Sequence, residues 1–188
     1  MLFPEGVAID GMTGEVSPST SRYAKRLSDL RGFFRDGAAL EKRIAEEDDP
    51  IAYEVIDYRK DESDLAFGTT IMRPGKVGDE FFLTRGHFHL RRECGEAYYT
   101  QSGTGLLLLE SRGGETRAVE MKPGVCAFIP PDWAHRSVNT GADRLVFTWF
   151  CATDAGHDYG AIAEKGMRKL VVERGGKAEL VDNPNYGA

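Results

Sequence analysis

No stretch of the chain approaches the ~18 consecutive apolar residues that a membrane helix needs, so a membrane partner is not expected. Basic residues are not in excess either: 24 Lys and Arg stand against 30 Asp and Glu, a net charge of −6. A nucleic-acid binder carries a basic footprint, and that class is set aside too. Cysteine is scarce, with Cys94, Cys126 and Cys151 in no motif spacing. An odd, unpatterned set reads as free thiols in a reducing, cytoplasmic setting, not as a disulfide framework. The N-terminal MLFPEGVAID has no basic segment leading into an apolar run, so no secretory signal is expected. Histidine is also rare, with four residues, and their placement carries much of the information.

The 188 residues suit a single domain. Residues 1–50 read as a helical extension packed on a larger body. Ser19 or Thr20 can cap a helix through SRYAKRLSDL that stops near Gly32, with Tyr23, Leu27 and Leu30 on one stripe. A second short helix fits ALEKRIAEE, with Leu40 and Ile44 on its buried face. From 51 to 188 the pattern changes to many short strands rich in β-branched and aromatic residues, among them IAYEVIDY, FGTTIM, EFFLT, GLLLLES and LVFTWF. Turn residues such as Pro74-Gly75, Gly113-Gly114 and Pro123-Gly124 separate them. Close spacing of this kind predicts an all-β-dominated antiparallel barrel or sandwich. A later helix fits residues 158–165, and VVERGGKAELV reads as a hairpin around Gly175-Gly176.

The richest stretch is TRGHFHLRRECGEAYY. His87 and His89 are two apart, which on a strand puts both imidazoles on one face. A third histidine, His135, begins another expected strand. Converging imidazoles suit a divalent transition metal, although a lone HxH pair is a weak signal, more often surface or hydrogen-bonded histidines. A carboxylate would complete a mixed site. Glu93 has the parity of the two histidines, but LRREC reads as a loop, and a new strand begins at Glu96. Glu96 is therefore favoured, with Glu93 a solvated loop carboxylate.

These residues carry a family likeness. His87-x-His89, Glu96 and Gly103 resemble the first motif of the cupin superfamily, and Gly124-x5-Pro130-x-Asp132-x2-His135-x3-Asn139 resembles the second. Asp132 departs from the pattern, standing where a glycine is common. The long gap from His89 to Glu96 is itself a feature of one subgroup, the archaeal-type, or cupin-type, phosphoglucose isomerases. RPGKVGDEFFLTRGHFH, EAYY, PPDWAHRSVNTG and DAGHDYGAIAEKG all look like that subgroup.

The resemblance implies a cupin jelly-roll barrel over 51–188, a homodimer, and interconversion of glucose 6-phosphate and fructose 6-phosphate. It implies one divalent metal per subunit, Fe²⁺ foremost with Mn²⁺, Ni²⁺, Co²⁺ or Zn²⁺ as alternatives, held by His87, His89, Glu96 and His135. Glu96, Tyr98 and His157 are the expected catalytic groups. Tyr53, Thr70, Thr84, Gly86 and Tyr159 are expected to hold the sugar phosphate. Arg85, Arg136 and Lys76 could add positive charge, but as lone basic residues they read as solvated surface. Cys151 stands where relatives often place a tyrosine. Two rival readings share the same four ligands: a non-haem Fe(II) cupin dioxygenase, which needs an apolar pocket, and a non-catalytic sugar-binding cupin.

Overall fold

The computed structural model describes residues 3–187. A small hairpin of β1 (Ala8–Ile9) and β2 (Val16–Ser17) precedes β3 (Ser21–Arg26), a 3-10 turn (Leu27–Leu30) and α1 (Gly37–Glu46). Strands then follow closely: β4 (Ile51–Tyr58), β5 (Leu65–Met72), β6 (Lys76–Val77), β7 (Glu80–Phe81), β8 (Glu96–Ser102), β9 (Gly105–Ser111) and β10 (Thr116–Met121). They continue as β11 (Cys126–Ile129), β12 (Trp133–Asn139) and β13 (Leu145–Ala152). After α2 (Gly160–Lys165) comes the hairpin of β14 (Lys169–Arg174) and β15 (Lys177–Asp182).

The largest sheet has the order β11-β8-β13-β5-β4-β3; two smaller ones run β10-β9-β12 and β15-β14-β7-β6. Every pairing is antiparallel. Their inner faces share one core, in which Tyr98, Phe147 and Trp149 of the large sheet meet Leu107, Leu109, Val138 and Val171 of the others. The result is a jelly-roll β-barrel, the mostly-β class that the strand spacing and the resemblance imply.

The segment read as a first helix is different. Ser21–Arg26 forms β3, an edge strand in register with β4, so that Tyr23 lies opposite Val55 and Lys25 opposite Tyr53. Local helix propensity there is worth only tenths of a kcal/mol per residue, and a ladder to an existing sheet outweighs it. Thr20 does not cap a helix: its hydroxyl donates to the Asp57 carbonyl at 3.1 Å and accepts from the Arg59 N–H at 3.0 Å, fastening the strand end. Leu27 and Leu30 are fully buried, but within the 3-10 turn, and with Phe34 and Leu40 they belong to the same core as the barrel strands. The second helix forms where expected, with the Asp36 carboxylate accepting from the Ala39 N–H at 2.8 Å. EFFLT yields only the two residues of β7 plus an isolated bridge between Leu83 and Val138.

Asp132 adopts φ +63°, which explains why related motifs favour glycine here. Aspartate is among the residues that tolerate this region best, and its carboxylate is held by Arg92 at 2.5 Å and Arg112 at 2.7 Å. Asp132→Ala should therefore melt about 2–4 °C below Asp132→Gly, since a Cβ in the left-handed region costs about 1 kcal/mol. Equal melting temperatures would remove the backbone explanation. Leu30→Ala should cost about 2–5 kcal/mol in a denaturant titration. A loss well under 1 kcal/mol would mean that the N-terminal segment is not part of the core.

Candidate metal centre

A cavity of about 430 Å³ is lined chiefly from β3, β4, β8, β12, β13 and the segment Thr84–His87. Two pieces of chain meet at its base. The His87 N–H donates to the His135 carbonyl at 3.3 Å and the His135 N–H to the His87 carbonyl at 3.1 Å. The strand expected through His87 and His89 exists only as isolated bridges, His87 to His135 and Phe88 to Asp158. Gly86 precedes them at φ +72°, where a Cβ would stand 3.1 Å from Arg136 Cβ and 3.2 Å from the His135 carbonyl oxygen. Glu96 is the first residue of β8; Glu93 is exposed in the preceding loop, 3.3 Å from Arg91.

One ligand atom from each of His87, His89, Glu96 and His135 lies within 4.8 Å of the others. Glu96 Oε2 is 3.2 Å from His89 Nε2 and 2.9 Å from His135 Nε2. On the outer side, His89 Nδ1 meets the Cys94 carbonyl at 3.0 Å and His135 Nδ1 meets the Trp133 carbonyl at 3.2 Å. A carbonyl only accepts, so each Nδ1 carries the proton and each Nε2 turns a lone pair inward. Nε2 of His87 and of His135 are buried without a hydrogen bond in donor geometry. Inward lone pairs packed around a carboxylate repel one another unless a cation lies between them. Three imidazoles and one carboxylate are an N/O donor set that suits a divalent transition metal.

The electrostatics agree. Burial, then the neighbouring His135, His157 and His89, drive the His87 pKa well below its ordinary value, so this ring is neutral. Burial also pulls His89 down, but the Glu96 carboxylate and the Cys94 carbonyl outweigh it and the net shift is upward. Burial would raise the Glu96 pKa; contacts with His135 and His89 overcome that and hold it at about 2. The carboxylate is thus ionised across the neutral range.

The other expected residues, Tyr53, Thr70, Thr84, Gly86, Tyr98, His157 and Tyr159, all line the same cavity. His157 is exposed on its outer edge, and its ring meets His87 edge-on at 4.3 Å. Burial of the inner edge lowers its pKa, opposed in part by Glu96. Tyr98 stacks on Phe147 at 4.7 Å, and burial followed by the Glu96 charge pushes its phenol well up. The Thr84 hydroxyl accepts the Ser137 N–H at 3.0 Å.

Two basic residues depart from a solvated-surface reading. Arg85 enters the cavity wall, its guanidinium 4.9 Å from the Tyr159 ring and 5.1 Å from the Phe33 ring. Arg136 is buried behind it and donates to the Arg85 carbonyl at 2.8 Å. Lys76 does not line the cavity and pairs with Glu173. Tyr23, Lys25, Asp57 and Arg59 also reach the cavity; the alternation of Tyr23 and Lys25 along β3 was masked by the helical reading of residues 21–30, and Asp57 and Arg59 carried no signal beyond a strand end.

The family model described as glucose-6-phosphate isomerase (GPI) matches residues 24–186. The chain belongs to the glucose-6-phosphate isomerase family. It is 48% identical to the glucose-6-phosphate isomerase of Thermococcus gammatolerans over 185 residues, covering 97% of this chain and 96% of that protein. It is 46% identical to the Pyrococcus abyssi protein of the same name, covering 97% of each. With the putative glucose-6-phosphate isomerase 2 of Rhizobium meliloti it shares 44% identity over 98% of this chain and 92% of that one. Among solved structures, Bacillus subtilis oxalate decarboxylase aligns at a TM-score of 0.47 and 20% identity, over 55% of this chain and 26% of that one.

Within this family framework Cys151 lines the cavity in register with Glu96. Burial, then the Glu96 charge, pushes its thiol up to about 12, so it is protonated beside the carboxylate.

The buried charges set a pH dependence. His87 titrates in the fold well below its ordinary 6.5, so the unfolded chain binds more protons and stability falls as pH drops below about 6.5. Glu96 adds a second loss beginning below its ordinary 4.5 and running toward about 2. His89 acts oppositely: its stabilisation is complete below its ordinary value and fades as pH rises through its raised one. Chelator-treated protein should melt progressively lower from about pH 7 to about pH 5, and His87→Asn should flatten that decline. An unchanged slope in the variant would contradict a neutral, buried His87.

Proposed function

We propose that this chain is a metal-dependent glucose-6-phosphate isomerase interconverting glucose 6-phosphate and fructose 6-phosphate. The observation that carries this reading is the three-imidazole, one-carboxylate cluster at the base of a cavity lined with Thr, Tyr and Arg side chains, in a chain of this family. His87, His89, Glu96 and His135 would hold the cation, Fe²⁺ by the family likeness, in a site whose N/O donors also accept Mn²⁺, Co²⁺, Ni²⁺ or Zn²⁺. When bound there, such an ion supplies Lewis-acid polarisation of the sugar carbonyl and stabilisation of the charge that develops on it.

The protein's own groups divide the remaining work. Thr84, Gly86, Tyr53, Thr70 and Tyr159 offer hydroxyls and backbone N–H groups to the phosphate. Arg85 offsets the repulsion that a dianion meets from a protein of net charge −6. Tyr98 keeps its proton because its pKa is raised, so it donates to a sugar oxygen. His157, with its pKa lowered, is neutral near pH 7 and can take a hydroxyl proton at the cavity mouth. Glu96, ionised and held by two imidazoles, would act as proton acceptor as well as ligand. The half-polar lining favours a hydroxylated substrate over the apolar one that a dioxygenase reading requires. The enzyme is taken to be cytoplasmic and homodimeric, in keeping with three free thiols and the family likeness.

A coupled assay that follows glucose 6-phosphate formed from fructose 6-phosphate tests the proposal. Activity should appear with Fe²⁺ or Mn²⁺ present. Glu96→Ala should lose about 10²–10⁴-fold in kcat, while Glu93→Ala stays near the parent. Absence of turnover with every one of these ions, or a larger loss in Glu93→Ala, would overturn it.

A further inference from the structure

A second cavity adjoins the first through Arg136. Its volume is about 180 Å³, under half that of the metal-centre cavity, and the two share no lining residue. It opens between the segment after the 3-10 turn, the C-terminal end of α2 and the segment after β15. Phe34, Met167 and Leu170 are buried along it and make part of its wall apolar. Its charged lining is Arg35, Arg136, Lys165 and Glu164. That is an excess of positive charge in a chain whose net charge is −6.

Arg136 sets the character of this cavity. The residue is 2% exposed, and taking a guanidinium out of water is costly unless an anion faces it. Among the described residues no anion does. Nη2 donates to the Arg85 carbonyl at 2.8 Å, a neutral acceptor, and Nε has no acceptor. The two acidic groups that act on Arg136 from further off, Glu80 and Glu110, are committed elsewhere. Glu110 accepts the Arg168 N–H at 2.6 Å and the Tyr186 hydroxyl at 3.0 Å. Glu80 accepts the Arg35 N–H at 3.1 Å, and its second oxygen is buried without a donor, so it does not reach Arg136 either. The Phe33 ring, 5.8 Å from the guanidinium, offers only the weak negative charge of an aromatic face. Arg35, by contrast, already pairs with Asp79.

We propose that this second cavity binds a small phosphate-class anion, seated against Arg136 with Lys165 at the rim. A guanidinium presents donors in a fixed fork that matches the oxygens of a phosphate, and charge-assisted bonds of this kind are the strong ones. Lys165 adds a compact second charge at an exposed position, so that the pair matches a dianion better than a single carboxylate. Glu164, the one acid in the lining, is exposed and screened by solvent. The site is distinct from the one proposed for the sugar phosphate, whose donors Thr84, Gly86 and Tyr159 line the other cavity. It stands on the burial of Arg136 and does not depend on the isomerase reading.

Equilibrium dialysis of radiolabelled inorganic phosphate against the metal-loaded full chain tests the site. Because Arg136 directly follows a metal ligand, Lys165 gives the cleaner variant. Lys165→Glu should bind about one phosphate fewer per chain than the parent, while melting at the parent's temperature in phosphate-free buffer. Arg136→Met, which keeps the length of the side chain without its charge, should lose the same phosphate. If Arg136→Met does not fold, Lys165→Glu still decides. Equal phosphate uptake by the parent and Lys165→Glu would overturn the site. So would a parent that takes up no phosphate at all, since Glu80 would then suffice to neutralise Arg136. The readout is bound phosphate and not turnover, so this test and the isomerase assay fail separately.

Discussion

The site depends on one antiparallel bridge of two residues. His87 and His135 exchange backbone hydrogen bonds, and this places two imidazoles from distant parts of the sequence beside each other, 4.4 Å between ring centres. His89 follows by alternation, and Glu96 enters from the first position of β8. The glycine at φ +72° before His87 and the buried Arg136 that holds the Arg85 carbonyl both keep the chain on that bridge. A site built on sheet backbone in this way is held more precisely than one on free loops.

Burial then gives the cluster its chemistry. Imidazoles taken out of water lose their affinity for protons, as at His87, and become ligands. The carboxylate among them keeps its charge only because two rings face it. The same desolvation that would be costly for an isolated charge prepares a receptacle for a cation. Around it the wall changes character, with tyrosine and threonine hydroxyls and a stacked arginine in place of packed aliphatic chains. In the proposed reading, this wall is what lets an acidic protein receive a dianionic sugar phosphate.

Much of this was legible in the sequence because metal chemistry needs rare residue types at narrow spacings. With only four histidines in the chain, the HxH pair and His135 could be singled out, and the charged LRREC loop moved the carboxylate from Glu93 to Glu96. The strands were legible from β-branched and aromatic runs. The segment at residues 21–26 was not, because Ala24, Lys25 and Arg26 suit a helix locally, and only the neighbouring edge of β4 makes them a strand. That error concealed Tyr23 and Lys25 from the cavity lining. Arg85 and Arg136 were illegible for a related reason: a lone arginine is ordinarily solvated, and its burial here follows from rings and carbonyls distant in sequence.

The outward sheet face shows the same economy of signal. Each strand alternates, and one parity builds the cavity while the other builds a nearly uncharged exterior. The account as a whole stands on the inner parity. Calorimetric titration of Mn²⁺ into chelator-treated protein, with isomerase turnover read at each point, tests it most directly. One ion should bind per chain, turnover should rise in step with occupancy, and His135→Asn should weaken binding at least about tenfold. Full turnover before any ion is added, or saturable binding that leaves turnover flat, would contradict it.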